Sequence, residues 1–356
     1  MDTNAPDSVP LNVNTVHGPV PVAELGITLT HEHLFADWTK RLTEPDEAKA
    51  RAAYHAPVDA SMRWLLTDFP SLSRDNLLQD EPEITVEELL NFVQAGGRTV
   101  LDCTNPDIGR DPLVLRDIAA RAGINVVMGS GWYLDAFHAE ESADVTADEL
   151  CQALISEFAD GVGDTGIRPG IIGEIGVSQQ FTDSEKIRLR AAARAQRQVG
   201  VPLFIHLPGW QRRAFEVLDI VVGEEGVAPG AVVLCHMDPS GRDPDYQREV
   251  ADRGAWLEFD MIGMTTFYAG EGQSPSPDET ARAVAGLIEE GHADRILLSH
   301  DFSSKGMWTR NGGNGIGYVP KLFLPRLERH GVSPTVTAGL MTKNPSNLFT
   351  IAGSCL

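Results

Sequence analysis

Cysteine is scarce in this chain. Its four thiols, Cys103, Cys151, Cys235 and Cys355, are scattered over 356 residues, with no CxxC pair and no tight spacing. No disulfide framework is expected, and a reducing cytoplasm is the compartment that fits. Cys355 is second from the end, whereas a prenylation box needs cysteine fourth from the end. No apolar run approaches the roughly 20 residues needed to cross a bilayer. Residues 1–14 are polar, without a basic start or an apolar core, so a soluble, unexported protein is expected. Positive charge is also short: 29 lysines and arginines face 51 acids, for a net charge of −22. The resulting field repels phosphate backbones and anionic lipid, which excludes nucleic acid and membrane as partners and leaves a small molecule. What remains is 42% apolar and 22% charged, a globular balance able to bury a large core.

The length could hold two average domains, yet α/β barrels routinely use 250 residues or more as one unit. From about Thr99 onward, short β-rich apolar runs alternate with helical patterns, the mark of a parallel sheet built from βαβ units. Strands are expected at 27–33, 99–104, 125–129, 171–175, 203–206, 232–236, 256–259 and 296–301. Eight strands close a barrel. The rival open doubly wound sheet needs a glycine-rich loop after the first strand, where this chain has THEHL. The expected fold is therefore α/β, a single (β/α)8 TIM barrel spanning 1–356. Asp111 with Pro112 opens one helix that ends near Gly123, and Thr182 with Glu185 forms a capping box for another that stops at Gly200. More than 60 residues separate His33 from Thr99, far above an ordinary βα loop. An insertion of about 38–84 is expected between the first strand and the first barrel helix, which a Thr85/Glu88 capping box would open. It would sit over the catalytic face or in a subunit contact, or form a solvated excursion.

His31 and His33 lie two apart in ITLTHEHL. Alternate strand residues point the same way, so both imidazoles can reach one ion at the strand end where barrel enzymes build their sites. Glu32 should face the opposite side, as should His300 beside Asp301. His206, His236 and Asp301 fall at the ends of later apolar runs. Any one of them alone reads best as a satisfied core residue, but four such strand ends converging on one rim favour a metal site. Glu174, inside GIIGEIG, needs a cation: either two metals that its oxygens bridge, or a neighbouring arginine.

The motifs VHGPVPVAELG–THEHL, DCTNPDIGRDP, GSGWY, GIIGEIG, LFIH, VLCHMD, ILLSHD and KNPSNLF occur in order over nearly the whole chain. Together they resemble the phosphotriesterase family of the amidohydrolase superfamily. The glutamate of the fourth strand is most similar to the phosphotriesterase-related branch, since the founding members carry a carbamylated lysine there. The resemblance implies that His31, His33 and Asp301 hold a buried metal, His206 and His236 an exposed one, with Glu174 and a hydroxide bridging them. Two divalent cations are implied, zinc by default, although manganese, cobalt or iron suit the same ligands. With two carboxylates and one hydroxide, the site carries about +1 and favours an oxyanion. Asp301 is the implied catalytic proton acceptor. A homodimer is also implied.

The implied reaction is hydrolysis of a carboxylic amide, ester or lactone. The alternatives are phosphotriester or phosphoester hydrolysis, an inactive ligand-binding barrel, and a mononuclear deaminase-like member of the superfamily. The glycine-rich segment 301–318 is expected to form a mobile loop over the pocket. Trp132, Tyr133, Lys305, Trp308 and Arg310 are the candidate substrate contacts. Arg110 is read mainly as fixing loops by an ion pair, and His17, His55, His138, His292 and His330 as surface or packing residues.

Overall fold

The computed structural model describes residues 11–138 and 145–354; Cys355 and the polar start 1–10 lie outside them. Eight strands carry the architecture: β1 (Ile27–Glu32), β2 (Gly97–Asp102), β3 (Asn125–Ser130), β4 (Ile171–Gly176), β5 (Leu203–His206), β6 (Val232–Leu234), β7 (Trp256–Phe259) and β8 (Ile296–Leu298). They pair in chain order from β1 to β8, and every pairing along the way is parallel. At the β8–β1 seam, Ser299 Oγ accepts from the His31 N–H at 2.9 Å and the Asp301 N–H donates to His31 O at 3.2 Å. The result is a (β/α)8 TIM barrel.

Alternation along the strands divides the core in two. Leu101, Val127, Ile171, Phe204, Val233 and Leu297 fill the barrel interior, while Val100, Val126, Ile172, Ile205, Leu234 and Leu298 pack outward against the helices. The antiparallel hairpin Asn12–Thr15 with Gly18–Pro21 leads into Val22 and Leu25. These two join Leu348 and Phe349 of the helix Lys343–Gly353 against the interior cluster. The opposite end, at the C-terminal ends of the strands, stays open for chemistry.

Two helices start and stop where their sequence signals place them. Asp111 Oδ1 accepts from the N–H groups of Leu113 and Val114 ahead of Pro112–Ala122, which ends on Gly123 at φ 69°. Thr182 and Glu185 cap Asp183–Val199, and Gly200 ends it at φ 67°. The first barrel helix departs from expectation. It runs Pro82–Gln94 with proline in its first turn, so Thr85 and Glu88 do not open it. Their polar groups serve tertiary contacts instead: Thr85 Oγ1 donates to Leu34 O at 3.1 Å, and the Glu88 carboxylate accepts from the N–H and hydroxyl of Thr309. The insertion therefore ends at residue 81, and it contains the short helices Ala48–Tyr54 and Arg63–Asp68. No helix among the described residues is long and apolar enough to cross a membrane.

Candidate metal centre and substrate cavity

The ligand candidates come from five strand ends. His31 lies in β1 and His33 just beyond it; Glu174 lies in β4 and His206 ends β5. His236 and Asp301 follow β6 and β8 by two and three residues. Both adopt left-handed backbone conformations, φ 59° and 52°, which side chains other than glycine rarely take. This ends those strands earlier than the expected 236 and 301. Such strain persists where the surrounding fold enforces it, commonly at functional sites. Glu174 follows Gly173 at φ 122°, where a Cβ would stand 2.4 Å from Phe204 O; only glycine permits that approach.

The six side chains meet. His206 Nδ1 lies 2.9 Å from Glu174 Oε2 and 2.8 Å from His236 Nε2. His236 Nε2 and His31 Nε2 approach the same Glu174 Oε2 at 3.4 and 3.6 Å. His33 Nε2 stands 3.4 Å from Glu174 Oε1 and 3.3 Å from Asp301 Oδ1. The His31 and His33 Nε2 atoms are nevertheless fully buried without a hydrogen-bond partner. A buried imidazole nitrogen in that state is costly unless it meets a cation. The donor groupings His31, His33, Asp301 and His31, Glu174, His236 each lie within 4.8 Å, so residues and chemistry fit a divalent metal.

Outside the candidate ligands, a layer of acceptors orients the rings. His33 Nδ1 meets Thr104 Oγ1 at 3.0 Å, and Asp102 fixes that loop through the N–H groups of Leu34 and Thr104. Asp260 Oδ1 lies 2.9 Å from His236 Nδ1, while Asp260 Oδ2 and Glu258 Oε2 both lie 3.2 Å from His31 Nδ1. The titrations reflect this. Burial works against a charged His33, yet the Asp301 and Glu174 carboxylates beside it raise its pKa to about 9. Burial likewise pushes Glu174 up, but the imidazoles of His206 and His31 hold it well below the usual carboxylate range. The Tyr133 phenol is pushed well above its ordinary value by burial and by Glu174, so it stays a neutral donor.

Above the centre opens a cavity of about 440 Å3. Glu174, His206, His236 and Asp301 lie on its wall, and Asp301 keeps 15% of its side chain exposed. Tyr133 lines it, 5.0 Å from the His206 ring. Trp38, Arg41 and Leu77 of the insertion form another wall, so this excursion covers the catalytic face. The Trp38 ring packs 4.9 Å from His33, and its Nε1 is buried without a partner. Arg41 rests over the Phe137 ring at 5.3 Å.

The other expected substrate contacts stand away from the cavity wall. Lys305 is 3% exposed, and its Nζ binds Asp75, Asp80 and Glu81 at 2.7, 3.2 and 2.6 Å. Trp308 is buried in the outer core, Trp132 packs against that core, and Arg310 is exposed away from the cavity. The segment 301–318 is not a free loop either. The Gly306 N–H donates to Asn76 Oδ1 at 2.7 Å and the Asn311 amide donates to Lys305 O at 2.9 Å. Lys305, Gly306, Thr309, Asn311 and Asn314 are each tied to a protein partner.

Glu32 and His300 face away from the centre as expected, joined at 2.6 Å behind the seam. Arg110 makes the expected loop-fixing pair with Glu157, both contacts at 2.8 Å. Sequence reasoning missed Asp102, Thr104, Glu258 and Asp260. The signal for the last two was present: the two-residue alternation that paired His31 with His33 also places Glu258 and Asp260 of WLEFD on one face.

Comparison with known proteins follows the same outline. The profile described as "Phosphotriesterase family" matches residues 11–349. N-acetyltaurine hydrolase of Salmo salar is 34% identical over 342 residues, covering 95% of this chain and 97% of its own. The crystal structure of a resiniferatoxin-binding protein from Rhodobacter sphaeroides superposes with a TM-score of 0.92 at 47% identity, over 95% of each chain. The phosphotriesterase homology protein of Escherichia coli, crystallised with phosphate in its active site, does so with a TM-score of 0.75 at 27% identity, over 91% of this chain and 99% of its own. On the match of nearly the whole chain, this protein belongs to the phosphotriesterase family of hydrolases.

Proposed function

We propose that the protein is a binuclear metal-dependent hydrolase that cleaves a carboxylic amide, with esters and lactones as the wider substrate class. The observation that carries this reading is the convergence of His31, His33, Glu174, His206, His236 and Asp301, with two buried imidazole nitrogens turned to a common centre without a hydrogen-bond partner. In this reading His31, His33 and Asp301 would hold one ion and His206 and His236 the other, with Glu174 between the two groups. When bound, such a pair of divalent cations supplies Lewis-acid polarisation of the acyl carbonyl and lowers the pKa of water toward neutrality. Zinc, a homodimer and a cytoplasmic setting complete the proposal.

The chain's own residues do the rest. Asp301 faces the cavity beside His33. It accepts the proton lost by attacking water and delivers it to the departing amine. Tyr133 stays protonated in its buried setting and donates to the developing oxyanion. Arg41, on the cavity wall, has no carboxylate partner among the described residues and favours a substrate with an anionic group. The N-acetyltaurine hydrolases, at about a third identity over nearly the full chain, support amide chemistry for such a substrate.

Hydrolysis of a phosphoester is the second reading, favoured by the phosphate in the active site of the Escherichia coli relative. Specificity constants for N-acetyltaurine, lactones and phosphotriesters, measured on one metal-loaded preparation, separate them. A value for the amide exceeding the others by 100-fold or more is expected. A higher constant for a phosphoester overturns the amide assignment. Inactivity on all three revives a ligand-binding role.

A further inference from the structure

Two imidazoles on different sides of the centre share one buried anchor. Asp260 immediately follows β7 and is completely shielded from solvent. Its Oδ2 lies 3.2 Å from His31 Nδ1 and its Oδ1 lies 2.9 Å from His236 Nδ1. The same carboxylate accepts the backbone N–H of His236 at 3.0 and 3.1 Å, which secures the residue in its left-handed conformation. An acceptor on Nδ1 fixes the tautomer that leaves the Nε2 lone pair free for a metal. The remaining rings are held separately: His33 Nδ1 meets Thr104 Oγ1, and His206 turns its own Nδ1 toward Glu174.

We infer that Asp260 is a positioning residue that couples the two metal subsites, because one carboxylate orients a ligand of each ion. The inference rests on the proposed assignment of His31 to one ion and His236 to the other. Neutralising Asp260 confronts two Nδ1–H donors with a group that can accept from only one of them, since the amide of asparagine is itself a donor. His31 Nδ1 has Glu258 Oε2 as its hydrogen-bond acceptor at 3.2 Å, with Asp260 Oδ2 beside it at the same distance, whereas His236 Nδ1 has Asp260 alone among the described residues. The ion held by His236 is therefore weakened more and the ion held by His31 less, but both are weakened.

The test reads metal uptake rather than turnover. Metal-free protein is titrated with Co(II), and the two stepwise dissociation constants are taken from the ligand-field absorption. Asp260→Asn is expected to weaken one step by about 10–100-fold, the usual range for loss of an outer partner, and the other by at least about 3-fold. Thr104→Val, which touches only His33, should weaken one step and spare the other. An unchanged step in Asp260→Asn overturns the coupling. A second comparison leaves Asp260 in place and serves if that variant does not fold. His236→Ala removes one partner of Asp260, and should weaken the surviving step more than His206→Ala, which does not touch it; equal effects overturn the inference. If the wild-type protein takes up a single equivalent, the two-ion reading itself has failed, and this result is distinct from a failure of coupling.

Discussion

Glu174 sits 1% exposed between four imidazoles, within 3.6 Å of each, a position from which one carboxylate reaches four of the candidate ligands. Glu174→Gln keeps the shape and removes the charge. It should lower kcat/KM by about 100-fold or more, in line with the loss of a metal-site partner; retention of turnover would count against a bridging role. In the proposed mechanism Asp301→Asn would remove the proton acceptor while keeping an oxygen at the site, and kcat should fall by about 10²–10⁴-fold. Arg41→Met tests the anionic substrate. The ratio of kcat/KM for an N-acyl aminosulfonate to that for its neutral sulfonamide should drop by about 10-fold, equivalent to about 1.4 kcal/mol, whereas an unchanged ratio means that Arg41 does not meet the charge. At this scale the candidate ligands were legible only as a set, because a single histidine or acid at a strand end reads as a satisfied core residue, whereas several converging on one rim do not. Of the supporting acids, Glu258 and Asp260 carried the same two-residue alternation, but Asp102 lies among ordinary strand residues and only its partners, the N–H groups of Leu34 and Thr104, give it meaning.

Between single residues and the barrel stand two segments that build the cavity together, the insertion after β1 and the chain after β8. Their joint is Lys305, which reaches from one segment to Asp75, Asp80 and Glu81 of the other. Burial works against its charge, yet the hydrogen bonds of Asp75 and Glu81 raise its pKa above the ordinary 10.5. A folded-state value above the unfolded one contributes stability that is complete below the unfolded pKa and disappears as pH rises through the folded one. Lys305→Met should therefore lower stability at pH 7 by about 1–3 kcal/mol, discounted because the three carboxylates are 30–46% exposed. It should also raise KM, because the wall carrying Trp38 and Leu77 loosens. Thermal melts from pH 7 to 11 check this: the wild-type advantage should shrink in the alkaline range, and an advantage independent of pH would contradict the joint. Local signals misled most here. Thr85 and Glu88 have capping-box spacing, yet proline at 82 starts the helix earlier and frees them for Leu34 and Thr309. The glycine and polar content of 301–318 suggested a mobile flap, whereas the insertion satisfies many of its polar groups.

The barrel as a whole was readable from eight apolar runs with helices between them, because closing such a sheet demands that periodicity throughout. The floor hairpin at 12–21 was not, since PVP and HGP look like loop sequence until they pair. Without metal, His33 holds a proton up to about pH 9, and a cation must displace it. Apparent metal affinity should therefore rise with pH until about 9, with proton release at pH 7 visible by calorimetry in buffers of different ionisation enthalpy; uptake without proton release would contradict the protonation described for the empty site. The most direct measurement is elemental analysis of the purified protein, paired with amide hydrolysis before and after chelation. Two divalent transition-metal ions per chain, with activity lost on their removal and regained on their return, is the predicted result. Metal-free protein as purified, or turnover indifferent to chelation, would contradict the account.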